Sequence, residues 1–165
     1  MFAPCLDSHV KNHASKHDVS PASLAHATPP PASGSVQVRV RYCECDPMNV
    51  AHHAAYIPWL EIGRTELLRA SGVSYAQLEA SGVFLVIAKL DARYRKPVFY
   101  DDVVEVRTRV AETSAVKIVH EYEVVVVEHA GQACETLCAA ASTTLACVDR
   151  EGKVRQLPEW LRTSR

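Results

Sequence analysis

The segment YCECDPMNVAHHAAYIPWLEIGRTELLR, residues 42–69, sets one carboxylate, Asp46, a short turn and two adjacent histidines directly before an apolar-periodic stretch. A carboxylate there could attack a carbonyl or take a proton from water. The start of a helix offers unpaired N–H groups and the positive end of a dipole, both suited to a developing oxyanion. On spacing alone Asp46 reads more readily as a turn or capping aspartate, since Asp is common in both places. His52 and His53 read as partly exposed residues at a helix start. Zinc binding by that pair is disfavoured, because adjacent positions on a 3.6-residue helix diverge by about 100°. Glu61 and Glu66 are rival acids. The plain alternative for Glu61 is an i,i+3 pair with Arg64, worth a few tenths of a kcal/mol, and both glutamates read better as surface residues.

These groups need a frame. In residues 35–42, Val36, Val38, Val40 and Tyr42 alternate with Gln37, Arg39 and Arg41, the mark of a half-buried strand. Tyr56, Trp59, Leu60, Gly63, Leu67 and Ala70 recur at helical spacing and predict one apolar stripe. Pro58 fits only in the first turn of that helix, and Gly72 is a plausible stop. Ser74 with Gln77 forms the capping pattern of a short second helix. Four strand-like runs follow, residues 83–97, 103–110, 115–127 and 133–149, with a turn at His129, Ala130 and Gly131 between the last two. Short connections make the strands mostly antiparallel. Their apolar face needs a cover, and the long helix is the candidate. The expected class is α+β, a five-stranded antiparallel sheet wrapped around one central helix.

With 48% apolar and 22% charged residues and a formal net charge of -1, the chain has the make-up of a soluble globular protein and no general electrostatic case for nucleic acid. No apolar run reaches bilayer length, so no membrane insertion is expected, and no secretory pattern opens the chain. The six cysteines suit a reducing, cytoplasmic setting better than paired disulfides. Residues 1–34 are rich in Ala, Ser, Pro and His and read as a disordered tail, with the folded domain at 35–165. His9, His13 and His17 are spaced by four and would align on a transient helix, but a polar tail containing histidine is the preferred reading.

The opening segment, followed by RYRKPVFYDDVVEVRTRV, closely resembles the hot-dog-fold acyl-CoA thioesterases. The likeness is to the 4-hydroxybenzoyl-CoA thioesterase branch, including the Tol-Pal-associated acyl-CoA thioesterases, and covers residues 36–148. It implies a hot-dog fold, assembly as a homodimer or homotetramer with the site at the subunit interface, and hydrolysis of acyl-CoA without cofactor or metal. Asp46 then corresponds to the family's catalytic carboxylate, and the backbone N–H of His53, seven residues later, to the group that polarises the thioester carbonyl. Where the family often has glycine three residues after the aspartate, this chain has Asn49, a residue that tolerates the left-handed conformation. Arg93, Arg95 and Lys96 read equally as contacts for coenzyme A phosphates and as strand-edge charge. Tyr56 and Trp59 could line an acyl pocket, although aromatics on a buried helix are more often core. Two other readings stay open, a non-catalytic acyl-CoA-binding module and a dehydratase on the same fold.

Overall fold

The period-2 alternation becomes five strands in the computed structural model, which describes Leu24 and residues 27–162. The order is β1 (Ser33–Arg39), α1 (Tyr56–Arg69), α2 (Tyr75–Ala80), β2 (Phe84–Tyr94), β3 (Val103–Thr113), β4 (Lys117–His129) and β5 (Gln132–Val148). The strands form one sheet in the order β1-β3-β4-β5-β2, and every neighbouring pair is antiparallel. Ala130 and Gly131, both with positive φ, turn β4 into β5 with His129 opposite Gln132, a two-residue hairpin whose twist matches the strands. Ser74 and Gln77 form the expected reciprocal cap of α2.

Trp59 and Leu60 of α1 pack on Val104, Val106, Tyr122 and Val124 of the sheet, so the long helix covers the apolar face. Gly63 permits the closest approach. A Cβ there would collide with Thr108 Oγ1 and lie 3.1 Å from Val106 Cγ1. A second cluster, including Leu68, Leu78, Ile118, Cys147, Leu157 and Leu161, closes the end of the molecule away from residues 46–53.

The buried face of α1 differs from the expected stripe at three points. Leu68 joins it. Ala70 is exposed, while Arg64 is buried, with its guanidinium on the Tyr75 hydroxyl at 2.6 Å and on Glu61 at 2.9 Å. The expected tail boundary also moves. β1 begins at Ser33, Val110 N–H donates to the Ala32 carbonyl at 2.8 Å, and Leu24 is buried in the second cluster. Chain just before residue 35 is therefore part of the packed structure, because β3 extends far enough to pair with it. His9, His13 and His17 lie outside the described residues.

Candidate active site

Residues 45–51 fold back on themselves between β1 and α1. Cys45 and Ala51 form an antiparallel bridge, Asp46 N–H donates to the Val50 carbonyl at 3.0 Å, and Asn49 N–H donates to the Asp46 carbonyl at 2.9 Å. Each turn residue has a local reason. Asp46 Oδ1 accepts the Met48 N–H at 2.8 Å, the side-chain turn that aspartate favours. Pro47 pre-sets the first turn position. Asn49 sits at φ 62, the left-handed region that Asn enters at little cost. The sequence alternative for Asp46, a turn acceptor, is thus realised through one oxygen. Its other oxygen, Oδ2, has no hydrogen-bond partner among the described residues, and the side chain is half-buried.

This turn yields a test. Asn49→Val should cost about 1–2 kcal/mol, the penalty for a side chain forced into the left-handed region, and should lower activity as Asp46 shifts. Asn49→Gly should retain both properties. Urea unfolding and turnover assays check this, and a valine variant equal to wild type would mean that the turn does not set Asp46.

The start of the helical run leaves the His53 N–H spare among the described residues. His52 N–H donates to the Glu44 carbonyl at 2.8 Å, Ala54 N–H to His52 Nδ1 at 3.2 Å, and Ala55 N–H to the His52 carbonyl at 2.8 Å. His53 opens the 3₁₀ turn His53–Ala55 that runs into α1, so its N–H has no acceptor one turn back. It has no partner among the described residues. The Tyr94 hydroxyl donates to the His53 carbonyl at 3.1 Å and ties the helix start to the end of β2.

A cleft of about 300 Å³ opens beside this donor, lined by Val50, Ala51, His53, Tyr56, Arg95 and Lys96 together with Tyr94 and Pro97. Tyr56 packs edge-on against Tyr94 with centroids 4.9 Å apart. Burial, with small contributions from Cys138 and Tyr94, raises the Tyr56 hydroxyl to about 12, so it stays protonated at neutral pH. Trp59 is fully buried behind Tyr56 and takes the core alternative. Asp46 stands on the turn whose returning arm forms one wall. Arg93 lines a groove on the outer sheet face with Arg107, Arg109, Asp91, Glu105 and Glu121, and Arg95 lines both that groove and the cleft. Glu61 is exposed and paired with Arg64, and Glu66 is paired with Arg69, so neither acid reaches the cleft.

Sequence reasoning missed Glu44. Its carboxylate is buried between Arg41 and the Trp59 indole. The signal was an acid two residues before Asp46, but a lone glutamate after a strand reads as solvated.

Residues 40–164 match the family model described as the thioesterase-like superfamily. The acyl-CoA thioester hydrolase YbgC of Escherichia coli O157:H7 is 32% identical over 123 residues, 74% of this chain and 87% of its own. The crystal structure of a DHNA-CoA thioesterase from Staphylococcus aureus superposes with TM-score 0.68 at 30% identity, over 76% of this chain and 80% of its own. A 4-hydroxybenzoyl-CoA thioesterase in complex with 4-hydroxybenzoyl-CoA superposes with TM-score 0.69 at 18% identity, over 78% of this chain and 95% of its own, a likeness of fold. With its five-stranded sheet laid over one long helix and a family match over most of its length, the chain belongs to the thioesterase-like superfamily of hot-dog proteins.

Proposed function

We propose that this protein hydrolyses acyl-CoA thioesters to a free acid and coenzyme A at the cleft beside His53. The observation that carries the reading is the His53 N–H at the helix start together with Oδ2 of Asp46 on the adjoining turn, both without a hydrogen-bond partner among the described residues. In this mechanism the thioester carbonyl oxygen accepts a hydrogen bond from His53 N–H, where the helix dipole adds to the stabilisation. Asp46 either removes a proton from the attacking water or attacks the carbonyl itself. The second route gives a mixed anhydride that water then opens, returning the carboxylate. In both routes the C–S bond breaks and coenzyme A leaves as a thiolate, a better leaving group than an alkoxide because a thiol is a far stronger acid than an alcohol. No cofactor takes part. Tyr56 and Tyr94 form the wall against which the acyl group lies, with Trp59 supporting them from behind.

Arg95 and Lys96 hold the coenzyme A phosphates in this reading, because both line the cleft, Arg95 lining the outer groove as well, whereas Arg93 lines the outer groove without reaching the cleft. Replacing Arg95 and Lys96 together by alanine should raise KM for acyl-CoA about tenfold and leave kcat near wild type, since a remote phosphate contact is equal in ground and transition states. Arg93→Ala should leave KM within about twofold. The defect should vanish for a short thioester lacking the nucleotide. An unchanged KM in the double variant would assign the phosphates to other groups.

The chain acts as a homodimer or homotetramer in the cytoplasm. Support for assembly comes from β2, an 11-residue edge strand with Val86 and Ile87 exposed, the kind of edge that proteins otherwise protect. Support for the compartment comes from the five described cysteines, all free thiols. No helix among the described residues is long and apolar enough to cross a membrane. Release of thiol from a panel of aliphatic and aromatic acyl-CoAs tests the reading. Tight binding without turnover would favour a non-catalytic module, and hydration of an enoyl-CoA would favour a dehydratase.

A further inference from the structure

The buried carboxylate of Glu44 is the group that the mechanism leaves unused. It is 7% exposed. Oε2 accepts Arg41 N–H at 2.7 Å, and Oε1 accepts the Arg41 guanidinium at 2.7 Å and the Trp59 indole N–H at 3.0 Å. The Glu44 carbonyl also accepts His52 N–H at 2.8 Å. Desolvation pushes this carboxyl up, but the Arg41 and Trp59 donors outweigh it and hold it below the usual carboxylate range. Burying a charge is costly even when it is paired, and apolar replacements of such groups are often neutral or stabilising. Stability alone is therefore a poor reason for this arrangement.

Geometry supplies a better one. The carboxylate joins the chain just after β1 to the first turns of α1, and the backbone of the same residue holds the peptide immediately before the His53 donor. Asp46 lies two residues further on. We infer that Glu44 is a positioning residue, a buried clamp that sets the Asp46 carboxylate and the His53 N–H in register across the thioester carbonyl. This rests on the thioesterase reading given above. Glu44 touches neither substrate nor reacting atoms, and acts through the two groups that do.

Glu44→Gln tests the clamp with little change of shape. An amide has one acceptor oxygen, so its NH₂ must face either Arg41 N–H or the pair formed by the guanidinium and the indole. A displacement of the order of 1 Å costs about a hundredfold in rate, so kcat should fall about 10- to 100-fold with KM within about threefold. Assays run well below each variant's unfolding midpoint, with the folded fraction measured by circular dichroism. A purely stabilising role would leave kcat at the wild-type value there, and that result overturns the inference. In the Asp46→Asn background, where no register remains to lose, the same substitution should change kcat by less than about threefold, the non-additivity expected of residues acting as a unit. A full, multiplicative loss there would also overturn it.

If Glu44→Gln fails to fold, Trp59→Phe takes its place. It removes the link to α1 and keeps most of the ring, and it should lower kcat severalfold at unchanged KM. Wild-type kcat in folded Trp59→Phe rejects the clamp. The thioesterase reading fails separately. Absence of acyl-CoA hydrolysis by wild type, or full activity in Asp46→Asn, removes that reading and the clamp with it, whereas a normal Glu44→Gln enzyme removes the clamp alone.

Discussion

Asp46→Asn should lower kcat by about two to four orders of magnitude, the scale expected for loss of a general base. The substitution is close to isosteric. The amide oxygen can still accept Met48 N–H, the contact now made by Oδ1 at 2.8 Å, so the turn should persist. Negative charge and basicity are lost, which disables both the water-activation and the direct-attack routes. Unfolding by urea should differ from wild type by no more than about 0.5 kcal/mol, as for a surface change that keeps its local contacts. Thiol release under saturating acyl-CoA checks the rate. Near-normal turnover would transfer the acid to another carboxylate. Glu61 is the alternative, but it lies eight residues beyond His53, roughly 12 Å along a helix, and is held by Arg64.

Mild acid should destabilise this protein through His120. The imidazole is 6% exposed, and its Nδ1 has no hydrogen-bond partner among the described residues. It borders a cavity of about 20 Å³ shared with Arg64, Tyr75 and apolar side chains of α1, β2 and β3. Burial, and secondarily the positive Arg64, lower its pKa from 6.5 to about 4. The folded state thus keeps the ring neutral while the unfolded chain takes up a proton. Between pH 6.5 and about 4 the unfolded state binds more protons, so stability falls as pH drops through that window. The total is about 3 kcal/mol at 1.36 kcal/mol per pKa unit. Glu44 adds a loss in the same direction but lower, as its depressed carboxyl is protonated. His120→Leu, similar in volume, should remove the upper part of the acid dependence and be at least as stable at pH 7, since it deletes an unpaired buried nitrogen. Urea midpoints for both proteins at pH 7, 5.5 and 4.5 decide the matter. A flat wild-type profile over that range would show that the ring is solvated or paired after all.

Elements whose causes are local were legible in the sequence. The hairpin at Ala130 and Gly131, the Ser74 and Gln77 cap and the aromatic face of α1 each depend on residues within one turn or one pleat of each other. Charged groups buried by distant partners were not. Arg64 is held beneath α2 by Tyr75, His120 faces Arg64 only because β4 passes under α1, and Glu44 meets Trp59 fifteen residues later. Residue type assigns each of them to solvent, because a charge in isolation belongs there, even though His120 falls in phase with the buried Ile118, Tyr122 and Val124. The same holds for the start of β1, which depends on how far β3 extends alongside it. At the candidate site the turn residues and the helix start could be read from spacing, whereas the frame that fixes one against the other needed the folded contacts.

The strand order has a consequence for how the chain reaches this state. Neighbours β3, β4 and β5 are consecutive and can zip together from short loops. By contrast β1 waits for β3, with Arg39 opposite Val103, and β2 waits for β5, with Phe84 opposite Val148. Contacts this distant in sequence form slowly, because the loop-closure entropy comes first. On a ribosome, β1 and α1 emerge well before the strands that cover them. Trp59, Leu60 and Leu67 are then exposed on a helix without a partner, the condition in which nascent chains aggregate or recruit chaperones. The turn bearing Asp46 hangs between those two waiting elements, so catalytic competence is expected to arrive only at the end of folding, after translation has passed β5.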